Sequence, residues 1–181
     1  MNDGAATRAA AARALDAILH RGRSLKATLS EAQSRLDDPR DRGLLEAIVM
    51  AALRQRAGFD EALSRWLAKP LGARDRDLRA LLHVGFAQLA LDVPAHAALA
   101  STVDAARLMG RTRQAGMVNA LLRRAQREGL PTVGSEAAWP WWLAARVRTD
   151  WPRDADAIFA ASAAQPPMWL RVNRREAARD A

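Results

Sequence analysis

The stretch Gly116-Met117-Val118-Asn119-Ala120-Leu121-Leu122-Arg123-Arg124, continued by Ala125-Gln126-Arg127, has the pattern of an amphipathic helix. Its apolar residues recur at i, i+3, i+4 and i+7 and therefore share one face; they are Val118, Leu121, Leu122 and Ala125. Asn119, Arg123 and Gln126 form a second stripe, with Arg124 and Arg127 close to it. We expect one face to pack in a core and the other to present guanidinium groups.

Asn119 is unusual in this stretch, because asparagine is a poor residue for the interior of a helix. We expect its side chain to form a hydrogen bond to a neighbouring loop.

Hydrophobic periodicity predicts further helices in the first part of the chain, over about 5–20, 24–36 with Ser24 as N-cap, 41–56, 60–68, 78–89 and 95–109. Gly58 is expected to interrupt the helical pattern, and Gly110 to end a helix. Gly85 lies inside an apolar stripe, where a close helix crossing is a better explanation than a functional backbone contact.

Composition changes after Gly129. Residues 131–138 have the character of a linker, and two short helices are predicted near 141–148 and 153–164. The alternation of Met168 to Asn173 predicts a strand. We therefore expect a helical domain over 1–130, a linker over 131–138, and a helical pair with the incomplete start of a small α+β domain over 139–181. The tryptophans beyond residue 138 are expected to pack a second core, with stacking on bases as the alternative.

The composition also limits the possible functions. The chain has 181 residues, half of them hydrophobic, and no cysteine, which excludes disulfides, thiolate metal sites and a cysteine nucleophile within these residues. Its three histidines lack metal-ligand spacing, and no paired carboxylates, P-loop or strand–glycine-turn–helix unit is visible. These residues therefore provide no catalytic centre, metal site or cofactor pocket. No apolar leader or bilayer-length run is present, so we expect a cytoplasmic protein without membrane contact.

Positive charge is the strongest functional signal. The formal net charge is +8, and Lys26 and Lys69 are the only lysines. Between Ala105 and Arg127 there are six arginines and no carboxylate, which favours contact with nucleic acid over a merely solvated basic face. A second cluster, from Arg8 to Lys26, is weaker because Asp16 lies within it. The alternating charges of residues 74–79 instead indicate local ion pairing.

Several blocks of sequence resemble, in order, the N-terminal region of the RsmB/Sun/Fmu family of 16S ribosomal RNA cytosine-5 methyltransferases. They are Arg8–Leu15, Asp41–Arg54, Asp77–Leu89, Val93–Ala97, Thr102–Arg107, Val118–Arg124 and Pro167–Asn173. The part up to about Gly129 also resembles the all-α, NusB-like helical bundle known from an RNA-binding antitermination factor.

This resemblance implies a domain that binds small-subunit ribosomal RNA and positions it for a catalytic domain beyond residue 181, which would bind S-adenosylmethionine. It also implies that Arg8 and Arg13 lie in an RNA-facing helix. Together with the charge pattern, it predicts these phosphate contacts: Arg8, Arg13, Arg21, Arg111, Arg113, Arg123, Arg124 and Arg127.

Two other functions remain open. One is a stand-alone NusB-like antitermination factor, which residues 139–173 argue against. The other is a docking domain that contacts a protein, such as its parent's own catalytic domain, without touching RNA.

Overall fold

The computed structural model describes residues 3–164, which form helices, turns and connections without a strand. The chain divides into two compact units between Val133 and Gly134, and the described residues of the first form seven α-helices. They are α1 (Asp3–Arg21), α2 (Leu25–Gln33), α3 (Pro39–Arg54), α4 (Arg56–Trp66), α5 (Arg76–Ala90), α6 (Ala95–Leu108) and α7 (Ala115–Glu128). The all-α prediction is confirmed for this part of the chain. The strand predicted at 168–173 lies outside the described residues.

Helix α5 is the centre of the first unit. Leu78 and all residues from Ala80 to Gln88 are buried, because α1, α3, α6 and α7 each pack against it. This burial explains why its sequence is apolar on nearly every side rather than along one stripe.

Gly85 lies where α5 closely approaches both α6 and α7. A Cβ atom added there would lie 2.5 Å from Cδ2 of Leu122 and 3.3 Å from Cγ2 of Thr102. Leu122 is fully buried, and it occupies the space that a side chain at position 85 would fill. The predicted close helix crossing is confirmed.

A line of buried polar groups crosses the core one turn away from Gly85. Nε of Arg8 donates to Oε1 of Gln88 at 2.7 Å, and Nε2 of Gln88 donates to Oγ1 of Thr102 at 2.9 Å. Thr102 in turn donates to the carbonyl of Ala98 at 2.7 Å. These hydrogen bonds connect α1, α5 and α6 inside an otherwise apolar core.

The helix boundaries differ from the prediction around α3 and α4. Helix α3 begins at Pro39, where the Asp38 carboxylate accepts a hydrogen bond from the backbone N–H of Arg40 at 2.8 Å. Gly58 does not interrupt a helix; the break is at Gln55, and Gly58 lies buried within α4. A Cβ on Gly58 would lie 3.0 Å from the carbonyl oxygen of Pro131, so packing against this carbonyl leaves little room for a side chain. Ser24 precedes α2 but forms no capping hydrogen bond through its side chain.

The second unit contains a short 3₁₀ turn (Ser135–Ala138), α8 (Trp141–Asp150) and α9 (Ala155–Ala163). Its small core includes Phe159, whose ring centroid lies 5.4 Å from that of Trp139. The prediction that the tryptophans pack a core is wrong for Trp141, Trp142 and Trp151, which are 82%, 59% and 51% exposed.

We expect Gly85→Ala to destabilise the protein by about 1–3 kcal/mol, because overpacking at Leu122 outweighs the gain of about 1 kcal/mol in helix propensity. Gly43→Ala in α3 is the matched control, since a Cβ there meets no atom within 4 Å. It should raise stability slightly. Chemical denaturation measures both; equal effects of the two substitutions would contradict the crossing as the reason for Gly85.

Gln88→Ala should lower the free energy of unfolding by about 2–4 kcal/mol, because Nε of the buried Arg8 loses its acceptor and only the longer bond to the carbonyl of Gly4 remains among the described residues. Thr102→Val, which leaves the bond between Arg8 and Gln88 intact, should have a smaller effect. In an Arg8→Met background, Gln88→Ala should be less destabilising, since no buried charge is then left unpaired. Equal losses in both backgrounds, measured by urea denaturation, would show that Arg8 and Gln88 are not coupled.

Candidate nucleic-acid interface

Helix α7 presents the two faces that its sequence predicts. Val118, Leu121, Leu122 and Ala125 are buried against the core, and this packing turns Arg123 and Arg127 toward solvent. The arginines on the outer face are therefore positioned by the leucines on the inner one.

Four of the predicted arginines are exposed and form no ion pair within the described residues. We call them the open arginines: Arg13, Arg113, Arg123 and Arg127. Arg113 lies in the 3₁₀ turn Thr112–Gln114 immediately before α7. With no carboxylate to displace, these guanidinium groups are free to bind phosphate oxygens in a bidentate manner.

Two other predicted arginines have partners on the protein; Arg21 is exposed and Arg124 is half-buried. Arg21 donates to the Asp16 carboxylate at 2.9 Å. Arg124 donates to Glu128 at 2.8 Å, and its guanidinium carbon lies 5.3 Å from the centre of the Trp66 ring. Their charge is partly neutralised on the protein itself.

Arg111 is held in place by carboxylates from a distant part of the chain. It donates to both carboxylate oxygens of Asp77 at 2.6 and 2.9 Å and to Asp75 at 3.1 Å. The hydrogen bonds that Arg111 donates to Asp77 raise the pKa of Arg111 above its ordinary value. Partial burial favours the neutral acid at Asp77, but the hydrogen bond and charge of Arg111 outweigh it and lower the pKa of Asp77. Arg111 therefore fastens the C-terminal end of α6 to the start of α5.

This arrangement corrects the expectation of local ion pairing within residues 74–79. Asp75 and Asp77 pair with Arg111 instead. Arg74 and Arg76 are consequently exposed and have no carboxylate partner among the described residues. Sequence reasoning missed them because alternating charges suggest neighbours as partners.

Arg8 is not on the surface, so its predicted role in an RNA-facing helix is wrong. The residue is only 6% exposed and hydrogen-bonded to Gln88. Burial lowers the pKa of its guanidinium, with Asp41 acting weakly in the opposite direction. Its contribution is to the packing of α1 on α5.

A groove with a volume of about 620 Å³ runs along the outside of α6 and α7, and we call it the α6–α7 groove. Asn119 and Arg123 line it from α7, and His96, Val103 and Arg107 from α6. The predicted hydrogen bond from Asn119 to a loop is not present in the described residues. Asn119 is half-buried and borders the groove.

A second groove, of about 580 Å³, lies between α1 and α2 and has an alanine-rich floor. Of its arginines, Arg21 pairs with Asp16, while Arg23 and Arg35 both pair with Glu31. Arg13 is its one cation without an ion pair among the described residues. This groove is therefore close to electrically balanced.

The described residues contain no group of three or more side chains arranged to hold a metal ion. They also contain no strand followed by a glycine-rich turn, so they do not form a Rossmann-type pocket for S-adenosylmethionine. None of the described helices combines the length and apolar character needed to cross a bilayer.

Comparison with known proteins agrees with this architecture. Residues 5–127 match the model of the NusB family, and residues 139–181 match the Methyltr_RsmF/B-like, ferredoxin-like domain. The first match covers the helical unit that carries all the open arginines.

Several relatives that share one name are similar to this chain over nearly its whole length. Ribosomal RNA small subunit methyltransferase B of Xanthomonas campestris pv. campestris is 58% identical over 94% of this chain and 39% of its own length. The protein of that name from Xylella fastidiosa (strain Temecula1) is 57% identical over 97% of this chain and 41% of its own length. The one from Pseudomonas putida is 41% identical over 96% of this chain and 42% of its own length. The chain thus spans about two fifths of the length of these relatives, and it belongs to the NusB family.

Proposed function

We propose that this chain is the RNA-binding and RNA-positioning part of a ribosomal RNA cytosine-5 methyltransferase. One combined observation supports this proposal. The NusB-family unit has four exposed arginines without an ion pair among the described residues, and the chain as a whole is similar over almost its full length to small-subunit methyltransferases. The partner is small-subunit ribosomal RNA, encountered in the cytoplasm. A second partner is the catalytic part of the same enzyme.

The chemistry of the open arginines supports contact with the RNA backbone. Guanidinium groups bind phosphate through two parallel hydrogen bonds, and such contacts fix position and orientation without reading sequence. Arg113 adds its charge just before the N-terminus of α7, where backbone N–H groups and the helix dipole also favour an anion.

We assign RNA contact to the first unit rather than to the second. The second unit exposes Trp141 and Trp142, which offer surfaces for stacking. However, Arg146 pairs with Asp150, and Arg148 pairs with Glu136 and Asp156. Two of the three cations that the structure describes in this unit are thus neutralised, which favours a protein neighbour for these tryptophans over a polyanion.

Methyl transfer itself is assigned to residues outside positions 1–181. This chain contributes affinity for the RNA and orients it. Both raise the frequency with which the target base reaches the reacting atoms.

Replacing all four open arginines by alanine should weaken binding to single-stranded RNA and reduce its salt dependence. Each phosphate contact removed lowers the slope of log K against log salt concentration by about 0.7. The measurement is a fluorescence titration of the 181-residue chain at several salt concentrations. The variant should lose most of its affinity at low salt.

The control removes the same charge from elsewhere on the molecule. Four cations outside the predicted set are likewise exposed and form no side-chain ion pair within the described residues: Arg40, Arg54, Lys69 and Arg153. Their combined replacement by alanine should leave the salt slope nearly unchanged. If both fourfold variants weaken binding equally, net charge alone acts and no RNA-binding surface exists. Unchanged RNA affinity in the first variant would support the docking function instead.

A further inference from the structure

The size and lining of the α6–α7 groove are those of a ligand-binding site and differ from those of a solvated helix face. From His96 to Arg107 it extends over about 16 Å of α6. Its floor contains the buried Leu99 and the half-buried Val103. Most of the other lining residues are polar or charged, so the groove combines a small apolar patch with groups that can hydrogen-bond a ligand.

The polar groups on the α7 side are unused by the fold. Asn119, Arg123 and Gln126 stand at i, i+4 and i+7, and all three border the groove. None of their side chains forms a hydrogen bond or ion pair in the part of the chain that the structure describes. Asn119 is the most informative, because it is unfavourable in a helix interior and has no structural role that compensates.

The charges around the groove favour an anionic polymer over a protein. Its one carboxylate among the described residues, Asp104, is bound to Arg107 at 2.5 Å. Arg123 is left unpaired and carries the free positive charge. An acidic ligand therefore meets attraction here without an opposing free carboxylate.

The two amides indicate which part of an RNA strand occupies the groove. Each amide offers a carbonyl acceptor together with two N–H donors, whereas a phosphate presents acceptors only. The edge of an unpaired base presents both donors and acceptors, and its face has the apolar character of the floor.

We propose that the α6–α7 groove is a nucleobase-binding site, in which Asn119 and Gln126 hydrogen-bond the edge of an unpaired base while Arg123 binds the adjoining phosphate. This inference rests on the proposed RNA-binding function and adds a preference for single-stranded RNA with bases over a bare sugar–phosphate backbone.

The test compares two probes, a mixed-sequence RNA of ten nucleotides and a fully abasic ribose–phosphate strand of the same length. The wild-type chain should bind the natural RNA at least about five-fold more tightly, as expected for seating one base. The double variant Asn119→Ala/Gln126→Ala should lose this difference without a change in salt slope. Arg123→Ala should instead lower the salt slope for both probes.

Gln55→Ala is the matched control, because Gln55 is an exposed amide at the end of α3, away from the groove lining. It should behave as wild type. Asn119→Ala should keep or raise the melting temperature, since alanine is the better helix former, so lost binding cannot be ascribed to unfolding.

The outcomes separate the two proposals. Equal wild-type affinity for both probes, or a base preference that survives in the double variant, overturns the nucleobase site and leaves RNA binding intact. Failure of the wild-type chain to bind either probe overturns the proposed function, and the nucleobase site with it.

Discussion

The orientation of the polar face of α7 depends on the contact between Gly85 and Leu122. Leu122 fills the space that a side chain at position 85 would occupy, so α7 has one rotation in which it can pack on α5. That rotation places Asn119 beside α6 and leaves Arg123 and Arg127 in solvent. Because interiors are close-packed, a small change in this contact would turn the whole polar face of α7.

The buried line from Arg8 through Gln88 to Thr102 fixes α1 in the same way. Once the Arg8 guanidinium is bonded to Gln88 inside the core, Arg13 lies five residues on and about 140° around the helix axis, which points it outward. A buried arginine thus sets the direction of an exposed one. The surface charge of α1 follows from a hydrogen bond that no ligand touches.

The sequence was sufficient for the helices, for both faces of α7 and for the role of Gly85, because each depends on spacing within one element. It was insufficient for the partners of the charges. Arg111 reaches Asp77 from 34 positions away, a pairing that only the tertiary fold creates. Arg8 was misassigned because α1 is so rich in alanine that its inward face is weakly marked. The α6–α7 groove is lined by residues of two helices, so the sequence pattern of neither helix alone predicts it.

The arginines differ in how readily they could exchange a protein partner for phosphate. This difference says more about which of them can bind RNA than net charge does. Arg21 is bonded to Asp16, whose side chain is only 8% exposed, so its release would leave a buried carboxylate short of a donor. An exposed ion pair contributes only about 0–1 kcal/mol, so Arg124 can exchange Glu128 for phosphate when RNA approaches. Arg111 cannot do so at similar cost, because two partly buried carboxylates would lose their donor. Arg8 would have to leave the core. The proposed interface would therefore use the open arginines first and the Arg124–Glu128 pair second, while Arg8 and Arg111 hold the helices that position them.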